Sequence, residues 1–149
     1  MDDAAFGKQK RRLLKLANRW IGPLGLKWWK LDLVYSRTPL DSSKPGFYCQ
    51  AKTSVAWEYL DATITWNMEA IEGLSDEELE KIFVHECCHI LVNEMRMWGP
   101  SKLDEEKLHE AMLHEERVVT QLALAFLWTR KDGSGELSCA RTRLKRKKV

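Results

Sequence analysis

The sequence predicts an α+β domain built as an N-terminal helix, a small antiparallel sheet and two further helices. Three observations carry this. Apolar residues recur at helical spacing from about Lys8 to Ile21, alternate at period two between Lys27 and Asn67, and return to helical spacing after Gly73. At 149 residues the chain is the size of one domain. Residues 1–136 are assigned to that domain and 137–149 to a basic tail expected to be disordered.

Leu13, Leu14, Leu16, Ala17, Trp20 and Ile21 form the apolar face of the first helix, and Gly22-Pro23 ends it. In the first strand Trp29, Leu31, Leu33 and Tyr35 share one face. Ser42-Ser-Lys-Pro-Gly46 reads as a loop. Val55, Trp57 and Tyr59 alternate in a second strand, and Leu60-Asp61 marks a bend. Ala62, Ile64 and Trp66 alternate with Thr63, Thr65 and Asn67 in a third.

Ser75-Asp-Glu-Glu78 is a capping box with acids in the first turn, where they complement the helix dipole. The helix it opens places Leu79, Ile82, Phe83, Ile90 and Leu91 at helical period and runs to about Trp98. Gly99-Pro100 stops it. Ser101 and Asp104 are start signals for a long last helix with apolar spacing through Trp128, followed by a Lys131–Glu136 linker.

Hydrophobic residues are 44% and charged residues 31% of the chain, the profile of a soluble globular protein, and no apolar run approaches the ~20 residues a membrane span needs. The N-terminus lacks the apolar stretch of a secretory signal, so a cytoplasmic location is expected. Cys49, Cys87, Cys88 and Cys139 have no paired CxxC spacing and are read as reduced thiols. Seven tryptophans supply buried area, and some are candidates to line a cleft. The net charge of +2 is segregated: Lys8–Arg19 carries six positive charges, Ser75–Glu116 twelve acids against four bases, and Arg141–Lys148 six positive charges.

Within the capped helix stands His85-Glu86-Cys87-Cys88-His89, an HExxH pattern. Positions i and i+4 of a helix lie on one face a turn apart, so two imidazoles can reach one ion while Glu86 reaches a water on it. With four His and fourteen Glu in the chain, the pattern would arise by chance roughly 0.01 times. The competing reading, two helix histidines satisfied by their neighbours, is the default for either histidine alone but not for the pair with Glu86 between them. Cys87 and Cys88 fill the variable positions as small packing groups.

A catalytic zinc site takes three protein ligands and keeps one position for water. On the last helix the apolar stripe runs through Leu108, Ala111, Met112, Val118, Val119, Leu122 and Phe126, with Glu115 nearest its middle. An unpaired buried carboxylate costs several kcal/mol, which coordination would relieve, so Glu115 leads as third ligand. Glu116, at the stripe's edge, is the next candidate, and His114 and His109 lie farther round.

With HExxH and His114-Glu-Glu-Arg-Val-Val-Thr-Gln-Leu-Ala123 together, the chain resembles the zincin metallopeptidases, specifically the glutamate-zincins, in which a helix after HExxH donates a glutamate. With Ala62-Thr-Ile-Thr-Trp-Asn67 it is similar to minimal metallopeptidases encoded by phages and prophages. The resemblance covers roughly Ala62 to Trp128. It implies a mixed domain whose sheet edge, at Ala62–Asn67, pairs with an extended peptide above the zinc, and a host cytoplasmic location if phage-encoded. The chain departs from the thermolysin-type pattern in its longer gap from His89 to Glu115 and its lack of an Asn-Glu-x-x-x-Asp motif. It also lacks the Met-turn and third histidine of the metzincins.

The expected function is therefore zinc-dependent peptide hydrolysis: Zn2+ on His85, His89 and Glu115 activates a water, and Glu86 takes its proton and passes it to the departing amine. The substrate would be a peptide or protein. No residue is assigned as oxyanion donor, with Tyr35, Tyr48, Tyr59 and the histidines as candidates. The alternative is a regulatory or nucleic-acid-binding protein on the same scaffold, acting through its basic termini by neutralising phosphates.

Overall fold

The computed structural model describes residues 1–40, 49–98 and 105–131. Three helices, α1 (Asp3–Trp20), α2 (Asp76–Trp98) and α3 (Glu105–Lys131), accompany three strands, β1 (Lys30–Ser36), β2 (Ala51–Ala56) and β3 (Asp61–Asn67). Among these described residues no helix is long and apolar enough to cross a membrane. The predicted loop at Ser42–Gly46, the signals between Gly99 and Asp104, the linker beyond Lys131, the tail, Tyr48 and Cys139 lie outside the described residues.

α1 begins five residues before the predicted start at Lys8, because Asp2 caps it by accepting the Ala5 N–H at 2.7 Å. Its buried face is Gln9, Leu13, Leu16, Ala17 and Trp20, whereas Leu14 is exposed. Arg12 ties this helix to the start of α2. It donates to the Leu74 carbonyl and to Asp76 Oδ1, each at 2.7 Å. Trp20 Nε1 donates to Glu80 at 2.7 Å, giving a deeply buried indole its hydrogen-bond partner.

The sheet is mixed, not antiparallel as the alternation had suggested. Its order is β1-β3-β2, with β3 parallel to β1 and antiparallel to β2. β3 takes the centre because its Ala62, Ile64 and Trp66 are all buried, and a strand bonded on both sides suits that burial. A short turn reverses the chain from β2 into β3. β1 and β2 are separated by fourteen residues of sequence, so they need not pair with each other and β3 fits between them.

Two further expectations are corrected. Trp57 and Tyr59 do not extend the second strand. They form a 3-10 turn closed by Leu60 in the left-handed region at φ 50°, which leaves Tyr59 exposed. Ala62–Asn67 is not a sheet edge either, since both its sides are hydrogen-bonded; β1 and β2 are the outer strands.

α2 lies on the sheet through Phe83, whose ring stacks on Trp66 at 5.9 Å between centroids, with Leu79, Val84, Cys87, Cys88 and Ile90 buried around it. The capping box forms as predicted: Glu78 N–H donates to Ser75 Oγ at 3.2 Å, and Ser75 N–H to Glu78 Oε2 at 2.9 Å. α3 packs on α2 through Val119, Ala123 and Leu127, while Met112 and Val118, placed on the stripe by sequence, are exposed. Arg130 anchors its far end, donating to the Arg19 carbonyl at 2.7 Å and lying over the Trp20 ring.

Candidate metal centre

The helical period sets His85 and His89 one turn apart on the side of α2 that faces α3. Their Nε2 atoms approach to 3.2 Å, with the rings 81° apart. Two imidazole nitrogens aimed at one point present electron pairs to the same space. Across from them, Glu116 on α3 places one carboxylate oxygen 3.3 Å from His89 Nε2 and the other 3.5 Å from His85 Nε2. His85, His89 and Glu116 thus form a group able to hold a metal ion.

The separations fit zinc. Bonds of ~2.0–2.1 Å in a tetrahedron hold ligand atoms ~3.3–3.4 Å apart, close to the distances measured between these donors. Two imidazoles and a carboxylate are also a donor set that zinc enzymes use.

Glu115 is placed differently. Its Oε1 lies 3.1 Å from Nδ1 of His89, on the edge of the ring away from His85. A carboxylate only accepts, so this contact suits a ring with its proton on Nδ1, the tautomer that leaves the Nε2 lone pair for a metal. Glu115 is the more buried of the two carboxylates, with 15% of its side chain exposed against 57% for Glu116. The pairing on Nδ1 gives it the partner that burial demands.

Burial pushes the His85 pKa down, aided by neighbouring His89 and opposed by Glu86 and Glu116. The neutral form is the one that ligates metal. The same burial pushes the Cys88 thiol up to about 11 and that of Cys87 higher still, so both are protonated packing groups in the core.

Glu86 is buried, yet it has a donor: Thr53 on β2 donates its hydroxyl to Glu86 Oε2 at 2.5 Å. Thr53 was not singled out by sequence. It is one polar residue in an alternating strand, 33 positions from its partner, and no local pattern marks it. Of the other candidates, His114 is exposed and contacts Glu110 and Arg117, and His109 is exposed. Tyr35 packs edge-on to Phe6 and under Lys10, and Tyr59 is solvent-exposed.

Comparison with protein-family models, with curated proteins and with solved structures finds no match to this chain.

Proposed function

We propose that this protein is a zinc-dependent metallopeptidase in which His85, His89 and Glu116 hold the ion, Glu115 orients His89, and Glu86 is the general base. The observation that carries the reading is the convergence of both Nε2 atoms and the Glu116 carboxylate beside a buried, hydrogen-bonded Glu86. A bound zinc would supply Lewis acidity, polarising a peptide carbonyl and lowering the pKa of water from 15.7 to about 7.

The protein's own part is to position and to move a proton. Thr53 fixes Glu86 through Oε2, leaving Oε1 to take a proton from the attacking water. Glu86 then returns that proton to the amine nitrogen as the C–N bond breaks, so water and peptide become acid and amine. Glu115 keeps the His89 ring from rotating, because rotation would break its Nδ1 hydrogen bond.

Of the two outer strands among the described residues, β2 is the one that holds Thr53, which makes its edge our candidate for pairing with an extended peptide. Of the basic termini in the alternative reading, Arg12 and Arg19 of α1 are paired with Asp76 and Glu80, and the tail lies outside the described residues.

The deciding experiment measures zinc content and peptide hydrolysis together. Purified protein is expected to hold about one zinc per chain, lost in His85→Ala and His89→Ala, and Glu86→Gln is expected to keep zinc and fold while losing hydrolysis. Folded protein reconstituted with zinc yet holding under a tenth of an equivalent would overturn the metal site. Equal cleavage by Glu86→Gln and the parent would overturn the role of Glu86.

A further inference from the structure

Beside the candidate metal centre a cleft of about 410 Å³ opens between α2, α3 and the start of β2. His85 and Glu86 line one part of it; Ile82, Ala123, Leu124 and Leu127 form its apolar walls. A second depression of about 190 Å³ shares Leu124 and Leu127 with the first and extends to Trp128. Leu124 is 55% exposed and Trp128 71%, so two large apolar side chains stand open along two adjoining depressions, together termed the groove. Contiguous exposed apolar surface of this kind marks binding sites.

Charged groups of α2 along the groove have partners on α2 or α1. Lys81 lies 3.8 Å from Glu77, and Glu80 accepts from Trp20 and pairs with Arg19. Apart from Lys81, Gln50, Thr120, His85 and Glu86, what the first cleft presents to a ligand is the apolar surface of Ala51, Ile82, Ala123, Leu124 and Leu127. The groove follows α2 from Glu77 to Glu86, about 13 Å at ~1.5 Å rise per residue. An extended chain advances ~3.3 Å per residue, so about four residues fit along it.

A groove walled at one end by the candidate general base, and beginning beside the start of β2, is a place where the reactant of that base can lie. We propose that it is the substrate channel and takes polypeptide segments with large aliphatic or aromatic side chains within about four residues, on one side, of the cleaved bond. This inference rests on the peptidase reading above. It adds the substrate class, which the metal centre does not determine.

The test uses the full chain loaded with zinc, the variant Leu124→Glu, and a mixture of peptides from digested cell proteins, with cut sites read by mass spectrometry. Leu124 is exposed, so the charge is expected to leave fold and zinc content unchanged, checked by circular dichroism and elemental analysis. Expected are cut sites flanked on one side by large apolar residues, and at least tenfold slower cutting at those sites by Leu124→Glu. Cutting without apolar preference, or cutting unchanged in Leu124→Glu, overturns the proposal while leaving the peptidase reading standing.

Binding separates the two readings if nothing is cut. Acetyl-Ala-Phe-Leu-Ala-amide and acetyl-Ala-Ser-Asn-Ala-amide are compared by saturation-transfer NMR on the full chain and on Leu124→Glu. Binding of the apolar peptide at least tenfold tighter, lost in Leu124→Glu, supports the groove even where peptidase activity fails. Equal binding of the two peptides overturns the groove. A concentration-dependent dimer abolished by Leu124→Glu assigns the groove to a second copy of the chain and overturns it too.

Discussion

Glu115 Oε1 stands 3.1 Å from His89 Nδ1, on the opposite edge of the ring from the nitrogen that faces His85. Two consecutive carboxylates therefore meet one imidazole from its two sides, since Glu116 lies 3.3 Å from His89 Nε2. Neighbours on a helix point about 100° apart, so both cannot occupy the same place, and their roles divide. A proton on Nδ1 would be held by Glu115, and in the proposed site that pairing would make His89 a more basic ligand at Nε2.

The division predicts different zinc affinities. Glu116→Ala is expected to weaken zinc binding by orders of magnitude, because two protein ligands remain. Glu115→Ala is expected to weaken it about 10–100-fold, the range for loss of a group behind a ligating histidine. Titration against a chelator of known affinity, with circular dichroism to confirm folding, ranks the two. The reverse order would put Glu115 on the ion and Glu116 outside it.

Thr53 gives a prediction that separates positioning from binding. A hydrogen bond to a charged group contributes about 1.5–3 kcal/mol, so Thr53→Val, which keeps shape and loses the donor to Glu86, is expected to slow kcat roughly 10–150-fold. Zinc content and KM should change little, and Thr53→Ser should restore most of the rate. A Thr53→Val protein with unchanged kcat would show that Glu86 needs no such support.

Much of this site is legible in sequence because it is local. HExxH spacing, the Ser75 capping box and the buried alternation of Ala62, Ile64 and Trp66 each depend on contacts within a few residues. What the sequence hides is set by partners far along the chain. Thr53 meets Glu86 only because β2 packs beside α2. The central place of β3 follows from which strand can bury the most, a comparison between strands that no single strand reveals. Tyr59 continues the alternation in sequence, but the chain must reverse before β3, and Leu60 takes the left-handed conformation that reverses it. For Glu115 the stripe argument located a carboxylate that needs a partner. The partner at hand is Nδ1 of the His89 ring, and choosing between that and a metal requires the rotation of α3 against α2. Met112 and Val118 show how far the wheel alone misjudges that rotation.

The contact of Phe83 with Trp66 predicts where the fold is most sensitive. Both rings are fully buried and stacked 8° from parallel, joining the helix that bears His85 and His89 to the central strand. Phe83→Ala is expected to cost about 3–5 kcal/mol of unfolding free energy, by lost burial and the cavity it leaves. Phe83→Leu should cost less. Urea titration of the metal-free protein measures both without the contribution of ligand binding.

The capping box gives the stability a pH dependence whose sign can be worked out. The Ser75 side-chain and backbone hydrogen bonds hold the Glu78 carboxyl below its ordinary value of 4.5 in the folded protein. A group with a lower pKa folded than unfolded binds fewer protons when folded, so its contribution is fully present above about 4.5 and is lost as pH falls through the folded value. Ser75→Ala removes both the cap to the Glu78 N–H and the hydroxyl donor to its carboxylate, and is expected to cost about 1 kcal/mol at pH 7. The cost should shrink as pH falls through the folded value, where the parent itself loses the carboxylate interaction. Thermal unfolding of parent, Ser75→Ala and Glu78→Gln at pH 7 and pH 3 makes the comparison. A Ser75→Ala deficit that stays the same on acidification would show that the hydroxyl acts independently of the charge on Glu78.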